Sequence, residues 1–214
     1  MAAVSPRSSL AEAARTRERI VQVAVEEASR IGLESLTIGS LADRLGMSKS
    51  GVIGPFGSRE NLQNAVLEQA GQIFRAAVIA PLAELSPGPA RLTRLIDMWV
   101  DYLADCPFPG GCFVTAASME LDGRLGPLRD QLRRVVTSWR AFLTGEIAAA
   151  QAETQSVPPR PPEEVATVLI GISMAINQEI QLLNDRSATE RGRAAMRGAV
   201  GLPPVTERDH ALNP

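Results

Sequence analysis

Histidine, lysine and tyrosine each occur once in this 214-residue chain, as His210, Lys49 and Tyr102, and there are only two cysteines. A lone histidine in a tail supports neither a histidine-based catalytic triad nor a histidine-rich metal site. Cys106 and Cys112 are too few for a disulfide framework. No stretch approaches the roughly 18 uncharged apolar residues that span a bilayer. Residues 1–10 also lack the apolar run of a secretory signal, so a cytosolic location with no membrane partner is expected. No segment alternates apolar and polar residues between turn signals, which predicts no strand. Basic charge is not in excess either: 22 basic against 24 acidic residues exclude a protein that coats nucleic acid by bulk charge. No glycine motif for cradling phosphate appears, and no enzyme, cofactor or metal is expected.

What the chain has is helical periodicity. Hydrophobic residues make up 45% of it, the share of an ordinary globular protein. Ile20, Val23, Ala24, Ala28 and Ile31 follow the i, i+3, i+4 pattern, and Ile38, Leu41, Ala42 and Leu45 repeat it. Further helices are predicted over about 59–81, 90–105, 112–121, 127–154, 163–184 and 188–200, separated by breaks such as Ser86-Pro87-Gly88-Pro89 and Cys106-Pro107-Phe108-Pro109-Gly110-Gly111. The expected fold is all-α, with about nine helices. Residues 1–14 read as a flexible arm, 15–60 as a first domain, 61–200 as a second and 201–214 as a tail.

The stretch Leu36 to Phe56 carries the chemistry. Thr37 is suited to cap one short helix that Gly46 ends, and Ser48 to cap a second that Gly54-Pro55 stops. A short helix, a glycine turn and another short helix is the helix-turn-helix arrangement, with Leu41, Leu45 and Val52 as its apolar seam. In that geometry the start of the second helix meets the DNA major groove. It presents Ser48, Lys49, Ser50 and Gly51: short hydroxyls, the one lysine, and a missing side chain that permits close approach to phosphate. Arg15, Arg17 and Arg19 add positive charge on the preceding helix, although the same arginines would serve as a solvated helix start. Glycine-turned helical hairpins also occur without DNA.

Residues Arg17 to Leu67 resemble the DNA-binding domain of the TetR family of bacterial transcriptional regulators. The resemblance lies in Arg-Glu-Arg-Ile-Val-Gln-Val-Ala, Gly-Leu-Glu-Ser-Leu-Thr-Ile, Leu-Ala-Asp-Arg-Leu-Gly-Met-Ser-Lys-Ser-Gly and Phe-Gly-Ser-Arg-Glu-Asn-Leu, in order and spacing. The segments Cys106 to Cys112 and Asp122 to Asp130 are similar to one branch of that family. The resemblance implies a homodimer that binds a palindromic double-stranded operator, usually as a repressor, and that a small molecule in the C-terminal domain releases. It assigns DNA contacts to Arg17, Thr37, Ser48, Lys49, Ser50, Gly51, Val52 and Ile53. It also marks departures: Ile53 stands where the family usually has a phosphate-contacting tyrosine, Pro55 where a histidine is common, and Gly39 where a polar residue is frequent. Fewer phosphate contacts imply modest affinity and a shallow salt dependence.

Bulky or oddly polar residues of the second domain are the candidates for an apolar effector pocket: Trp99, Tyr102, Phe113, Met119, Trp139, Phe142, Met174, Asn177 and Gln178. Each also reads as plain core, and Glu120 and Asp122 read as helix-end charges. The apolar stripe Val168, Leu169, Ile172, Ala175, Ile176, Ile180 and Leu183, with residues 188–200, is the expected dimer interface. Cys106 and Cys112 flank a turn and read either as inert or as a thiol switch. A helical interaction module with weakened DNA binding is the other alternative.

Overall fold

The computed structural model describes residues 6–154 and 160–202. In chain order the described helices are α1 (Pro6–Ile31), α2 (Ile38–Leu45), α3 (Lys49–Ile53), α4 (Arg59–Phe74), α5 (Pro89–Ala104), α6 (Phe113–Leu121), α7 (Pro127–Thr154), α8 (Pro162–Leu183) and α9 (Ala188–Ala199). No strand occurs among the described residues. Four of these helices open on proline, whose missing N–H costs nothing in a first turn.

Two boundaries differ from expectation. The first helix begins at Pro6 rather than near residue 15, so much of the expected arm is helical. Leu10-Ala11-Glu12-Ala13-Ala14 consists of strong helix formers, which outweighs the absence of an apolar stripe there. From Leu10 onward, the first side chain of α1 to be fully buried is Ile20. At the other end of the first hairpin region, α4 stops at Phe74, and the chain continues as a π-helical turn, Arg75–Ile79, and a 3₁₀ turn, Ala80–Leu82. Pro81 explains the change. It cannot donate into the helix, and its ring crowds the carbonyl one turn back. The tail beyond Leu202 lies outside the described residues.

The chain divides into two compact units. One is Met1–Ile73 with Phe108–Arg134; the other is Phe74–Pro107 with Val135–Pro214. The first is therefore discontinuous in sequence. Its core joins Ile20, Ala24 and Val25 of α1, Leu33 and Leu36 of the α1–α2 linker, Leu41 and Leu45 of α2, and Leu62 and Val66 of α4. Phe108, Phe113, Ala117 and Leu121 from the later segment are buried too, with the rings of Phe108 and Phe113 edge to face at 5.7 Å.

In the second unit, α9 is tied to α5 by Arg193, whose guanidinium donates to Asp97 at 2.9 Å and to Asp101 at 2.6 Å. It lies so close to α8 that a β-carbon on Gly192 would stand 2.2 Å from Ile176 Cδ1. Helix α8 has two apolar faces. Val165, Leu169, Ile176 and Ile180 are buried in their own unit. Leu169, Ile176 and Ile180 therefore leave the expected dimer stripe, because they are already enclosed within the single chain, Ile176 by α9. The outward face carries Gly171, Ala175, Gln178 and Leu182, all exposed, while Leu183 is exposed at the helix end.

Candidate nucleic-acid interface

Backbone capping positions the two short helices. The Thr37 hydroxyl accepts the Ser40 N–H at 3.0 Å and starts α2. Gly46 ends α2 at φ 64°, a conformation that glycine adopts without a Cβ clash. The Ser48 hydroxyl then accepts the Gly51 N–H at 3.0 Å and starts α3. Each such cap contributes about 1 kcal/mol to its helix. With five residues, α3 has room for one buried anchor, and Val52 fills that position at 0% exposure. Leu41, Ala42 and Leu45 of α2 are buried in the same unit.

This arrangement leaves Ser48, Lys49 and Ser50 exposed at the start of α3, with Thr37 exposed at the start of α2. Gly51 and Ile53 are half-buried. Val52 is a correction to the expected DNA face: its side chain is wholly enclosed and has no surface to offer a base edge. Arg17 lies on the exposed side of α1 with its guanidinium over the Phe56 ring, 5.1 Å from the centroid. Phe56 itself is buried, so the cation rests on a fixed platform at the end of the motif. Lys49 runs alongside Gly39. A β-carbon at Gly39 would lie 3.7 Å from Lys49 Cε and 4.0 Å from Nζ. Thr37 and Ser48 are thus exposed hydroxyl-bearing N-caps, with Lys49 beside Gly39 and Arg17 on the ring of Phe56.

The linker from α1 to α2 is held by side chains rather than by regular structure. Glu120 of α6 accepts the N–H groups of Leu33 and Glu34 at 2.7 and 2.9 Å. Gln63 of α4 donates to the Leu33 carbonyl at 2.9 Å, and Arg59 donates to the carbonyls of Glu34 and Leu36. The sequence held no local signal for Glu120, since its partners are 86 and 87 residues away.

The expected effector residues separate. Trp99, Tyr102, Trp139 and Phe142 come together in the second unit, joined by Phe74, which sequence reasoning missed. Phe74 meets Tyr102 at 5.1 Å and Trp139 at 5.0 Å, while Trp139 meets Trp99 at 4.9 Å and Phe142 at 5.8 Å. Trp99 and Tyr102 are buried; Phe74, Trp139 and Phe142 stay half-exposed. Elsewhere on α5 and α7, Arg91 Nε stands 3.0 Å from the buried carboxylate of Glu146. Phe113 and Met119 do not join this cluster. Both belong to the first unit, where Phe113 packs on Phe108 and Met119 is 58% exposed. Met174 and Asn177 are half-buried, and Gln178 is exposed on the outward face of α8, which removes it from an enclosed pocket. No disulfide joins the two cysteines, of which Cys112 is buried and Cys106 half-buried.

Comparison with known proteins agrees with this architecture. The family model of tetracyclin repressor-like C-terminal domains matches residues 88–196. A TetR transcriptional regulator from Chloroflexus aurantiacus superposes with a TM-score of 0.79 at 21% identity, covering 89% of this chain and 96% of that one. AibR, solved with isovaleryl coenzyme A and operator DNA, gives a TM-score of 0.70 at 17% identity, covering 89% of this chain and 100% of that one. Reduced NemR from E. coli gives 0.72 at 17% identity, with coverage of 89% and 100%. No curated protein matches the chain in sequence.

Proposed function

The chain belongs to the tetracycline-repressor-like (TetR) family of transcriptional regulators, which is not an enzyme family, and from that premise we propose that it is a homodimeric repressor released from a palindromic operator by a small apolar effector. The observation that carries DNA binding is the exposed set Thr37, Ser48, Lys49 and Ser50, displayed by two capped helices on a buried Val52 anchor. Arg17, fixed over Phe56, adds a phosphate contact. AibR, which shares the fold, was solved on operator DNA with an acyl-coenzyme A.

Dimerisation uses the outward face of α8 together with α9. Gly171 and Ala175 are small enough for close approach, and Leu182 is 70% exposed in the single chain. An apolar stripe of this kind is the natural surface for an isologous contact. The effector is assigned to the aromatic cluster of buried Trp99 and Tyr102 with half-exposed Phe74, Trp139 and Phe142, the sort of apolar lining that small-molecule sites use. The setting is the cytoplasm, with no cofactor or metal required.

Selection of bound sequences from a random DNA library tests the proposal. The expected product is a palindrome with half-sites about one helical turn apart. Enrichment of no sequence would leave a helical interaction module as the better reading, in line with Ile53, Pro55 and Gly39.

A further inference from the structure

The linker between α1 and α2 decides where α2 starts, and through the Gly46 turn where α3 points. It has almost no regular hydrogen bonding of its own. Two consecutive N–H groups, those of Leu33 and Glu34, follow Gly32 at φ +90° and point the same way. Successive amides after such a turn form a concavity that binds an anion. Here the anion is the Glu120 carboxylate, with Oε2 on Leu33 and Oε1 on Glu34. The fit is close enough that a β-carbon at Gly32 would stand 2.6 Å from Glu120 Oε1. One turn further along the chain, Arg124 pairs with the Glu34 carboxylate at 2.6 Å, so both ends of the same helix-to-linker contact are charged. The contact is reinforced at backbone level, since Gly110 lies against the carbonyl of Ser29 at the end of α1, where a β-carbon would come within 1.7 Å of the oxygen.

We propose that Glu120 is a positioning residue for operator binding: its carboxylate fixes the α1–α2 linker and thereby the orientation of the reading helix. Residue 120 lies inside the stretch that matches the family's C-terminal domain. The group that sets the reading head is thus encoded in the sequence of the domain to which effector binding is assigned. A shift of α6 by a fraction of a turn removes both acceptors at once and strands two amides, so the linker responds as a unit. Glu120 has this role only if the protein reads DNA as proposed above.

The experiment compares wild type with Glu120→Gln and Glu120→Asp. Glutamine keeps the size but replaces one acceptor oxygen with a donor that faces an N–H. Aspartate keeps both oxygens but withdraws them by one methylene, and it serves if the glutamine variant fails to fold. Each protein is titrated against the selected operator and against a scrambled duplex, with thermal unfolding and amide exchange at Leu33 and Glu34 measured in parallel. The expected result is at least a tenfold loss on the operator, less than threefold on the scrambled duplex, and faster exchange at the two amides while the fold persists. A purely structural contact would lower the unfolding midpoint and weaken both duplexes alike, which overturns the proposal. Operator binding within threefold of wild type despite faster exchange overturns it too. If the wild type selects no sequence, it is the DNA-binding reading that falls, and Glu120 falls with it.

Discussion

The guanidinium of Arg17 sits over the ring of Phe56, 5.1 Å from its centroid, and so joins the first helix of the reading head to the residue that closes the motif. A cation held by a buried ring has fewer conformations to lose when it meets a phosphate. The stacking itself is worth about 0.5–1 kcal/mol at an exposed site. Arg17→Ala is expected to weaken binding to every duplex by three- to tenfold, with no change of preferred sequence. It should lower the salt slope by about one per reading head. Filter binding at several salt concentrations checks both; a change in sequence preference would contradict the assignment.

Salt dependence tests the interface as a whole. Lys49 and Arg17 are two cations per head, or four per dimer, which gives a log–log slope of about −3.6, and the neutral hydroxyls of Thr37 and Ser48 add contacts without steepening it. A slope near −9 or steeper would require contacts beyond the named ones. Lys49→Ala should cost at least tenfold on the operator, since no other described lysine or arginine lies on α3.

The outward face of α8 predicts the assembly. Ala175 is exposed on that face, one turn from Gly171. Ala175→Arg should convert the dimer to monomer at micromolar concentration and reduce operator affinity by more than a hundredfold, because each half-site must then be bound alone. Light scattering reads the mass. A wild type that is already monomeric would sink the dimer.

Effector binding has a built-in reporter. The chain's two tryptophans, Trp99 and Trp139, are in edge-to-face contact at 4.9 Å inside the aromatic cluster. An apolar ligand entering there must change their emission. Screening a metabolite set by fluorescence should give hits that also release the operator, and Phe142→Ala should shift their affinity at least fivefold. Hits that release DNA without altering either tryptophan would place the site elsewhere.

The turn between α8 and α9 carries the clearest pH signature. The Asp185 carboxyl is lowered from 3.8 to about 2, first by the hydrogen bond from the Ser187 hydroxyl and then by that from Arg191. A depressed carboxyl contributes stability above its unfolded value of 3.8, and that contribution is lost as pH falls through about 2. The group is at the surface, so the effect is local and shrinks with salt. Carbon-detected titration of Asp185 should give a midpoint well below 3, and Ser187→Ala should move it upward.

Much of this was legible in the chain because it is local. Thr37, Gly46 and Ser48 act within three or four residues of themselves, and cap chemistry names them directly. Periodicity likewise located the faces of α5 and α7 that bear Trp99, Tyr102, Trp139 and Phe142. What periodicity cannot give is the partner of a face. It put Phe113 and Met119 with the effector residues, although their helix belongs to the other unit, and it merged the inward and outward faces of α8 into one stripe. It assigned Val52 to both the seam and the DNA surface, where a five-residue helix has room for only one. Phe74 went unnoticed because its place depends on the π-helical turn that Pro81 imposes. Glu120 looked like an ordinary helix-end charge, since nothing near it in sequence reveals two amides more than eighty residues earlier.

The broken continuity of the first unit bears on how such a protein is made and recombined. During synthesis the first 73 residues emerge without the acceptors for Leu33 and Glu34, so the reading head reaches its final form only after residue 121 has left the ribosome. For the same reason the head is not a portable N-terminal cassette. A chimera joined at residue 73 would inherit a linker tuned to a carboxylate it no longer possesses, and a working exchange has to carry residues 108–134 along with it.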